Sequence, residues 1–151
     1  MVVLAVLAGV AAPRFFDVSD DARVAAARGA RTALVEAVHN WRMHDAVVNG
    51  GDGAWLPDLD GVLSAEGGEH LLNPYHDPRM PVYNVDNSPA TKMYMINKTI
   101  ESASSDWGSI WYNPNNGRLM FRIPAQDTDA ETIALFNEVN QTAITSLAQT
   151  E

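Results

Sequence analysis

The sequence predicts an α+β fold in which a long N-terminal α-helix packs on a head with a small antiparallel β-sheet, and a helical tail follows. Three observations predict this arrangement. Residues 1–48 place apolar and small side chains at steps of three and four, which is the helical period. Residues 109–123 hold two aromatic-rich runs around Asn116 and Gly117, a pattern typical of a β-hairpin. The Thr-Asp-Ala-Glu run at residues 128–131 is a capping box that begins another helix.

Composition limits the possible partners of the chain. The 151 residues include 19 acidic and 10 basic side chains, for a net charge of -9. An anionic protein of this kind is not expected to bind nucleic acid or anionic lipid broadly. The chain has no cysteine, which excludes a disulfide framework and a cysteine-ligated metal. We divide it into an N-terminal helix (residues 1–48), a head (residues 49–127) and a tail (residues 128–151).

The N-terminal helix begins with an uncharged apolar segment, residues 1–12. At 1.5 Å per residue this segment spans about 18 Å, whereas a helix needs about 20 apolar residues to cross a membrane. We therefore expect it to be the rear part of a longer apolar helix that lacks about eight or nine residues in front. Pro13 is expected to loosen one turn because it removes a backbone donor. The Asn-Gly-Gly run at residues 49–51 is predicted to end the helix.

The head is predicted to begin with a long loop and to continue in strands. Residues 50–79 are rich in Gly, Asp and Pro, and one short helical turn is expected at residues 64–72. Strands are predicted at residues 81–85 and 92–100, ahead of the hairpin.

Alternation and helical period predict the buried faces of the last strand and the last helix. The return strand of the hairpin is expected to carry on one face Leu119, Phe121 and Ile123, and on the other Met120 and Arg122. The tail helix is expected to have one apolar side, formed by Ile133, Phe136, Val139 and Leu147.

Histidine and serine patterns indicate no catalytic constellation. His39 and His44 lie five residues apart, on different faces of a helix, whereas zinc proteases use a spacing of four. His70 and His76 fall in the predicted loop, and no nucleophile motif accompanies His76 and its neighbour Asp77. We therefore predict that the protein is not an enzyme and carries no cofactor.

A cluster of acidic residues follows the first helix. Asp52, Asp58 and Asp60 are weak calcium candidates, because carboxylates beside glycines are ligands for this cation. The spacing does not match an EF-hand loop, so a solvated turn is the preferred interpretation.

The N-terminal run VVLAVLAGVAAPRFFDVSDDAR, together with the Ala-rich helix after it, resembles the N-terminal region of type IV pilins and pseudopilins. Within that family, APRFFDVSDDAR is most similar to the mannose-sensitive haemagglutinin (MSHA) branch. The resemblance covers residues 2–31, and beyond them only the order of elements is similar. The Gly and Phe-Thr-Leu-Ile-Glu-like stretch of the family is absent, as is the disulfide with which many pilins close their C-terminal region.

The resemblance implies a structural subunit of a surface filament that polymerises through its N-terminal helix. Its partners would be copies of itself, after a precursor stage in the inner membrane, and the filament would be extracellular. Roles in adhesion, motility or DNA uptake are all compatible with this family. The filament-core set implied by the resemblance is Val2, Val3, Leu4, Val6, Leu7, Val10, Pro13, Phe15 and Phe16. A small-residue stripe is expected to pack the helix on its own head, and it consists of Val18, Ala22, Ala25, Gly29, Ala33, Ala37 and Trp41.

Two alternatives remain open. A pseudopilin of a type II secretion system would form a short periplasmic piston, and a functional calcium loop would favour it. A membrane-tethered ligand-binding module would need a concave aromatic pocket. The positions of Trp55, Trp107 and Trp111 in the sequence do not indicate one.

Overall fold

The computed structural model describes residues 2–48, 50–51, 53–65, 68–101 and 107–151, with side chains in the first helix from Ser19 onward. Helix α1 (Val2–Val48) packs on a three-stranded sheet, and a further helix follows the sheet, so the α+β class is confirmed. The remaining elements, in order, are α2 (Asp60–Leu63), a 3-10 turn (Gly68–Leu71), β1 (Tyr83–Val85), β2 (Ile110–Asn113), β3 (Arg118–Phe121) and α3 (Asp129–Asn140).

Helix α1 is continuous through Pro13. The side chains of the filament-core set, and that of Val18, lie outside the described part of the helix. Within the part of the chain that the structure describes, no helix combines the length and the hydropathy that a membrane crossing requires.

The face of α1 that packs on the head is not the predicted one. Ala27, Leu34 and Val38 are fully or almost fully buried. Most of the small-residue stripe points to solvent: the exposed members are Ala22, Ala25, Gly29, Ala33 and, at 39 % exposure, Trp41. Only Ala37, at the edge of the stripe, packs partly against the core. The reason is area, because burying Leu and Val removes more apolar surface from water than burying Ala and Gly.

The sheet is mixed rather than antiparallel. Strand β2 pairs antiparallel with β3 through the predicted hairpin, where Gly117 adopts the left-handed conformation (φ 69°) that the turn requires. Strand β1 lies on the other side of β2 and runs parallel to it, with Tyr83 opposite Ile110. A parallel neighbour needs a long crossover, and residues 86–109 are long enough to supply it.

Residues 92–100 do not form the predicted strand. Met95 and Lys98 are both buried, at a spacing of three, while Ile96 is 60 % exposed. The segment pairs with the sheet through a single bridge between Thr99 and Ile123. Its backbone bonds instead to the end of the chain, since the Met93 and Tyr94 amides both donate to the carbonyl of Thr150. Those C-terminal contacts replace a sheet ladder.

Helix α3 begins as predicted and ends earlier than predicted. Thr128 is its N-cap, and Thr128 and Glu131 form the reciprocal capping box. Phe136 and Val139 are fully buried and Ile133 partly, in one core with the buried face of α1 and one side of the sheet. The helix stops at Asn140, so Leu147 lies beyond it in an irregular segment rather than on a helical tail.

Candidate functional site

A cleft of about 400 Å³ opens on the sheet face that points away from the helices. Along β2 and β3, alternate residues point to opposite faces, so Ile110 and Phe121 lie on the opposite side of the sheet from Trp111, which is buried in the core and also lines the cleft. Asn84 stands opposite Trp111 in β1 and lines the same cleft. Arg122 follows β3 directly and shares this face, as the alternation predicted.

A carboxylate that accepts hydrogen bonds at all its acceptor positions lines one side of the cleft. Asp86 accepts hydrogen bonds at 2.8 Å from the Trp111 indole Nε1 and at 2.8 Å from the Lys92 ammonium. The Ser88 amide and hydroxyl donate to its other oxygen. Burial acts to raise the pKa of Asp86, but the hydrogen bonds from Lys92, Ser88 and Trp111 outweigh burial and lower the pKa to about 2. Asp86 is therefore ionised and its charge is compensated by Lys92.

The other side of the cleft carries a buried guanidinium. Arg122 is 2 % exposed, and its Nε donates at 2.9 Å to the carbonyl of Asn97. Its Nη1 donates to the Asn84 side-chain oxygen at 3.0 Å and to the carbonyl of Gly108. Burial lowers the pKa of Arg122 to about 10, against the opposing effect of the Asp86 carboxylate. Arg122 is thus a cation held by neutral acceptors.

Tryptophan residues contribute to the apolar lining of this cleft, contrary to the interpretation of the sequence. Both Trp107 and Trp111 line it, and the Trp107 ring centroid lies 5.6 Å from the Arg122 guanidinium carbon. Trp55 lies elsewhere, edge-on to His39 at 4.9 Å and 4.2 Å from the Arg42 guanidinium carbon. Sequence spacing missed the pair because the cleft forms only when β1 and β2 lie side by side.

The predicted calcium candidates are not brought together as ligands. Asp58 accepts a hydrogen bond from the Asp60 amide at 3.0 Å, and Asp60 accepts one from the Tyr83 hydroxyl at 2.5 Å. Asp52 lies outside the described residues. In the part of the chain that the structure places, no three acidic or histidine side chains cluster around a common point. The carboxylate of Asp58 therefore stabilises a turn, and that of Asp60 makes a contact with β1.

His76 acquires a neighbour that the sequence did not indicate. Its Nδ1 lies 3.0 Å from the Ser109 hydroxyl. That hydroxyl donates to the Val82 carbonyl at 2.8 Å, and Ser109 is fully buried. Asp77, in turn, is engaged by Arg79 rather than by the imidazole. A buried serine whose hydroxyl proton is donated to a backbone carbonyl is a structural group, not a nucleophile.

Lys98 makes structural contacts that sequence analysis missed. Lys98 is 2 % exposed, and its ammonium donates to three backbone carbonyls, at 2.9 Å to Met95, 2.7 Å to Leu147 and 2.7 Å to Gln149. These bonds tie the irregular C-terminal segment to the head, in a chain without cysteine. Burial lowers the pKa of Lys98 to about 8. No sequence signal separates this lysine from a solvated one.

Comparison of the chain with protein-family models, with curated proteins and with solved structures finds no match.

Proposed function

We propose that this protein is a structural subunit of a type IV pilus-like extracellular filament, which polymerises through its N-terminal helix. The observation that carries the proposal is the geometry of α1, a single helix of 47 residues that is about 70 Å long at 1.5 Å per residue. Its buried residues Ala27, Leu34 and Val38 lie in the C-terminal half. The uncharged apolar segment, residues 2–12, lies at the opposite end.

The exposed stripe on α1 supports the same proposal. Ala22, Ala25, Gly29 and Ala33 are exposed, so they are accessible to another copy of the chain. Small side chains allow two helices to approach closely. Helices that pack with the ridges of one in the grooves of the other have interaxial distances of about 8–10 Å. The stripe predicted to face the head would then face sister subunits. Before assembly, the apolar segment would rest in the inner membrane.

Assembly can be tested with one substitution on the stripe. A Cβ atom added at Gly29 meets no other atom within 4 Å, so a side chain can leave the helix at this position without a clash at its first atom. We expect Gly29→Leu to fold and to abolish filaments, because the added side chain holds neighbouring helices apart. Ala134→Leu is the matched control, since Ala134 is exposed on α3 and the substitution places the same leucine side chain on the head surface.

The readout is electron cryo-microscopy of filaments sheared from cells that express the chain. The proposal requires a helical fibre whose core fits packed copies of α1 from the wild type and from Ala134→Leu. Fibres of normal abundance from Gly29→Leu would refute the role of the stripe. Absence of any fibre containing the wild-type chain would refute the filament itself.

A membrane-tethered ligand-binding module is the second candidate, and the cleft is the observation that favours it. Its volume of about 400 Å³ falls in the range of small-molecule sites, about 300–1,000 Å³. Ligand binding that survives deletion of residues 2–12, together with failure to polymerise in the full chain, would favour this candidate. A pseudopilin with a calcium loop has no comparable support, because Asp58 and Asp60 are engaged within the chain.

A further inference from the structure

The cleft contains one positive charge more than it contains negative charges. Three of its lining side chains are ionised: Asp86, Lys92 and Arg122. The first two pair with each other at 2.8 Å. Arg122 forms no ion pair with a carboxylate of the described residues, although it is 2 % exposed in a protein of net charge -9. A buried charge is costly unless an opposite charge or a full set of hydrogen bonds satisfies it.

One edge of the Arg122 guanidinium is unused. Nε and Nη1 donate to Asn97, Asn84 and Gly108, whereas Nη2 has no hydrogen-bond partner among the residues that the structure places. The acceptors that are present are neutral, so they orient the group without neutralising it. A guanidinium with free N–H groups is the preferred partner of a carboxylate. An anion in the cleft would complete both the hydrogen bonding and the charge of Arg122.

The surroundings select the size and charge of that anion. Lys92 pairs with Asp86 at 2.8 Å, so the cleft holds one uncompensated positive charge, which one negative charge on a ligand would balance. Trp107 is half-buried, with its ring beside the guanidinium, and Ile96 on the cleft lining is 60 % exposed. An indole face and an aliphatic side chain favour a flat, apolar body. These features fit a monoanion on a ring better than a phosphate.

We propose that the cleft binds small cyclic monocarboxylates, with the carboxylate on the free edge of Arg122 and the ring against Trp107. This site is independent of polymerisation, since its residues belong to the head and to neither the apolar segment nor the stripe on α1. Its occupancy would give each subunit a small-molecule function in addition to a structural one.

The test compares benzoate with benzamide, a neutral molecule of the same shape, by calorimetric titration into the 151-residue chain. We expect benzoate to bind and benzamide to bind at least about 10-fold more weakly, the ratio for loss of one charge-assisted hydrogen bond. Benzoate binding should also weaken with added salt. Equal binding of the two molecules would overturn carboxylate recognition, and no saturable benzoate binding up to about 10 mM would overturn the site.

Two variants locate the binding. Trp107→Leu keeps an apolar residue but removes the indole face, and Arg122→Lys keeps the charge but removes the planar fork. Each should weaken benzoate binding at least about fivefold. The control is Trp41→Leu, because Trp41 is exposed on α1 and is not among the residues that line the cleft.

A third readout keeps the proposal testable if Arg122→Lys does not fold. In the wild type, benzoate should shift the indole N–H resonance of Trp107 more than that of Trp41 or Trp55. Trp107→Leu and the benzamide comparison remain decisive in that case. Unchanged affinity in Trp107→Leu, or equal shifts at all the indole resonances, would place the benzoate outside the cleft.

Discussion

The side chain of Asn140 completes the edge of the sheet, and its removal should cost more stability than any surface substitution. Its Oδ1 accepts from the Phe121 amide at 2.8 Å, and its Nδ2 donates to the Phe121 carbonyl at 2.9 Å and the Phe136 carbonyl at 3.2 Å. Asn140 and Phe121 are both fully buried. The amide thus acts toward β3 as a further strand would, and it joins the end of α3 to the sheet.

Asn140→Ala leaves the amide and the carbonyl of Phe121 without these partners, in a site that excludes water. Each unsatisfied buried group costs about 1–3 kcal/mol, and the better helix propensity of alanine returns only about 0.5 kcal/mol. We therefore expect the free energy of unfolding to fall by about 3 kcal/mol. Asn40→Ala is the matched control, because Asn40 is exposed within α1, and it should raise the free energy of unfolding by only about 0.5 kcal/mol through helix propensity.

The assay is urea unfolding of the 151-residue chain, followed by tryptophan fluorescence, with the slope m compared between variants. A loss below about 1 kcal/mol at unchanged m would refute the reasoning, because it would mean that Phe121 finds other partners or water. A loss of the same size in Asn40→Ala would attribute the effect to the residue type rather than to the bond.

Three further predictions concern stability. Burial lowers the pKa of Lys98 from 10.5 to about 8, so the folded state binds this proton less tightly than the unfolded state. The free energy of unfolding of the wild type should therefore rise by about 2.5 kcal/mol between pH 7 and pH 10 relative to that of Lys98→Met, in urea titrations at each pH. Parallel pH profiles of the two proteins would contradict the lowered pKa of Lys98. Thr128→Ala removes the side-chain acceptor of the Glu131 amide and half of the capping box. The midpoint of urea unfolding should shift by an amount equal to a loss of about 1 kcal/mol in the free energy of unfolding. No loss would mean that water caps α3 equally well. Gly29→Ala should raise the free energy of unfolding by about 0.5–1 kcal/mol, since the added Cβ atom meets open space in a helix interior. A decrease would show that this face of α1 makes a contact in the monomer.

Local signals predicted the elements that the structure confirms. The cap of α3 requires only Thr128 and Glu131, three residues apart, and the hairpin requires a turn with Gly117 at positive φ between two runs of strand-forming residues. Their energies arise within a few residues of chain, so composition and spacing are enough to identify them.

The wrong predictions for residues 92–100 and for the end of α3 share one cause. Residues far along the chain offer partners that local patterns do not reveal. Residues 92–100 alternate as a strand would, yet Lys98 turns inward to bond the carbonyls of Leu147 and Gln149 about 50 residues later. The end of α3 shows the same effect, because Asn140 is engaged by β3 and Gln141 turns into the left-handed conformation (φ 51°). Spacing within one segment contains no information on these partners.

From its sequence alone, this chain is an acidic α+β protein with a long first helix, an apolar N-terminal segment, a hairpin and a capped second helix. The face of α1 that packs on the head, the parallel position of β1 and the meeting of Trp107 with Arg122 follow from the assembled fold. The physical difference is range. Helical period, turns and caps are set by neighbours along the chain, whereas burial compares the apolar area of every available face and selects the one that excludes most water.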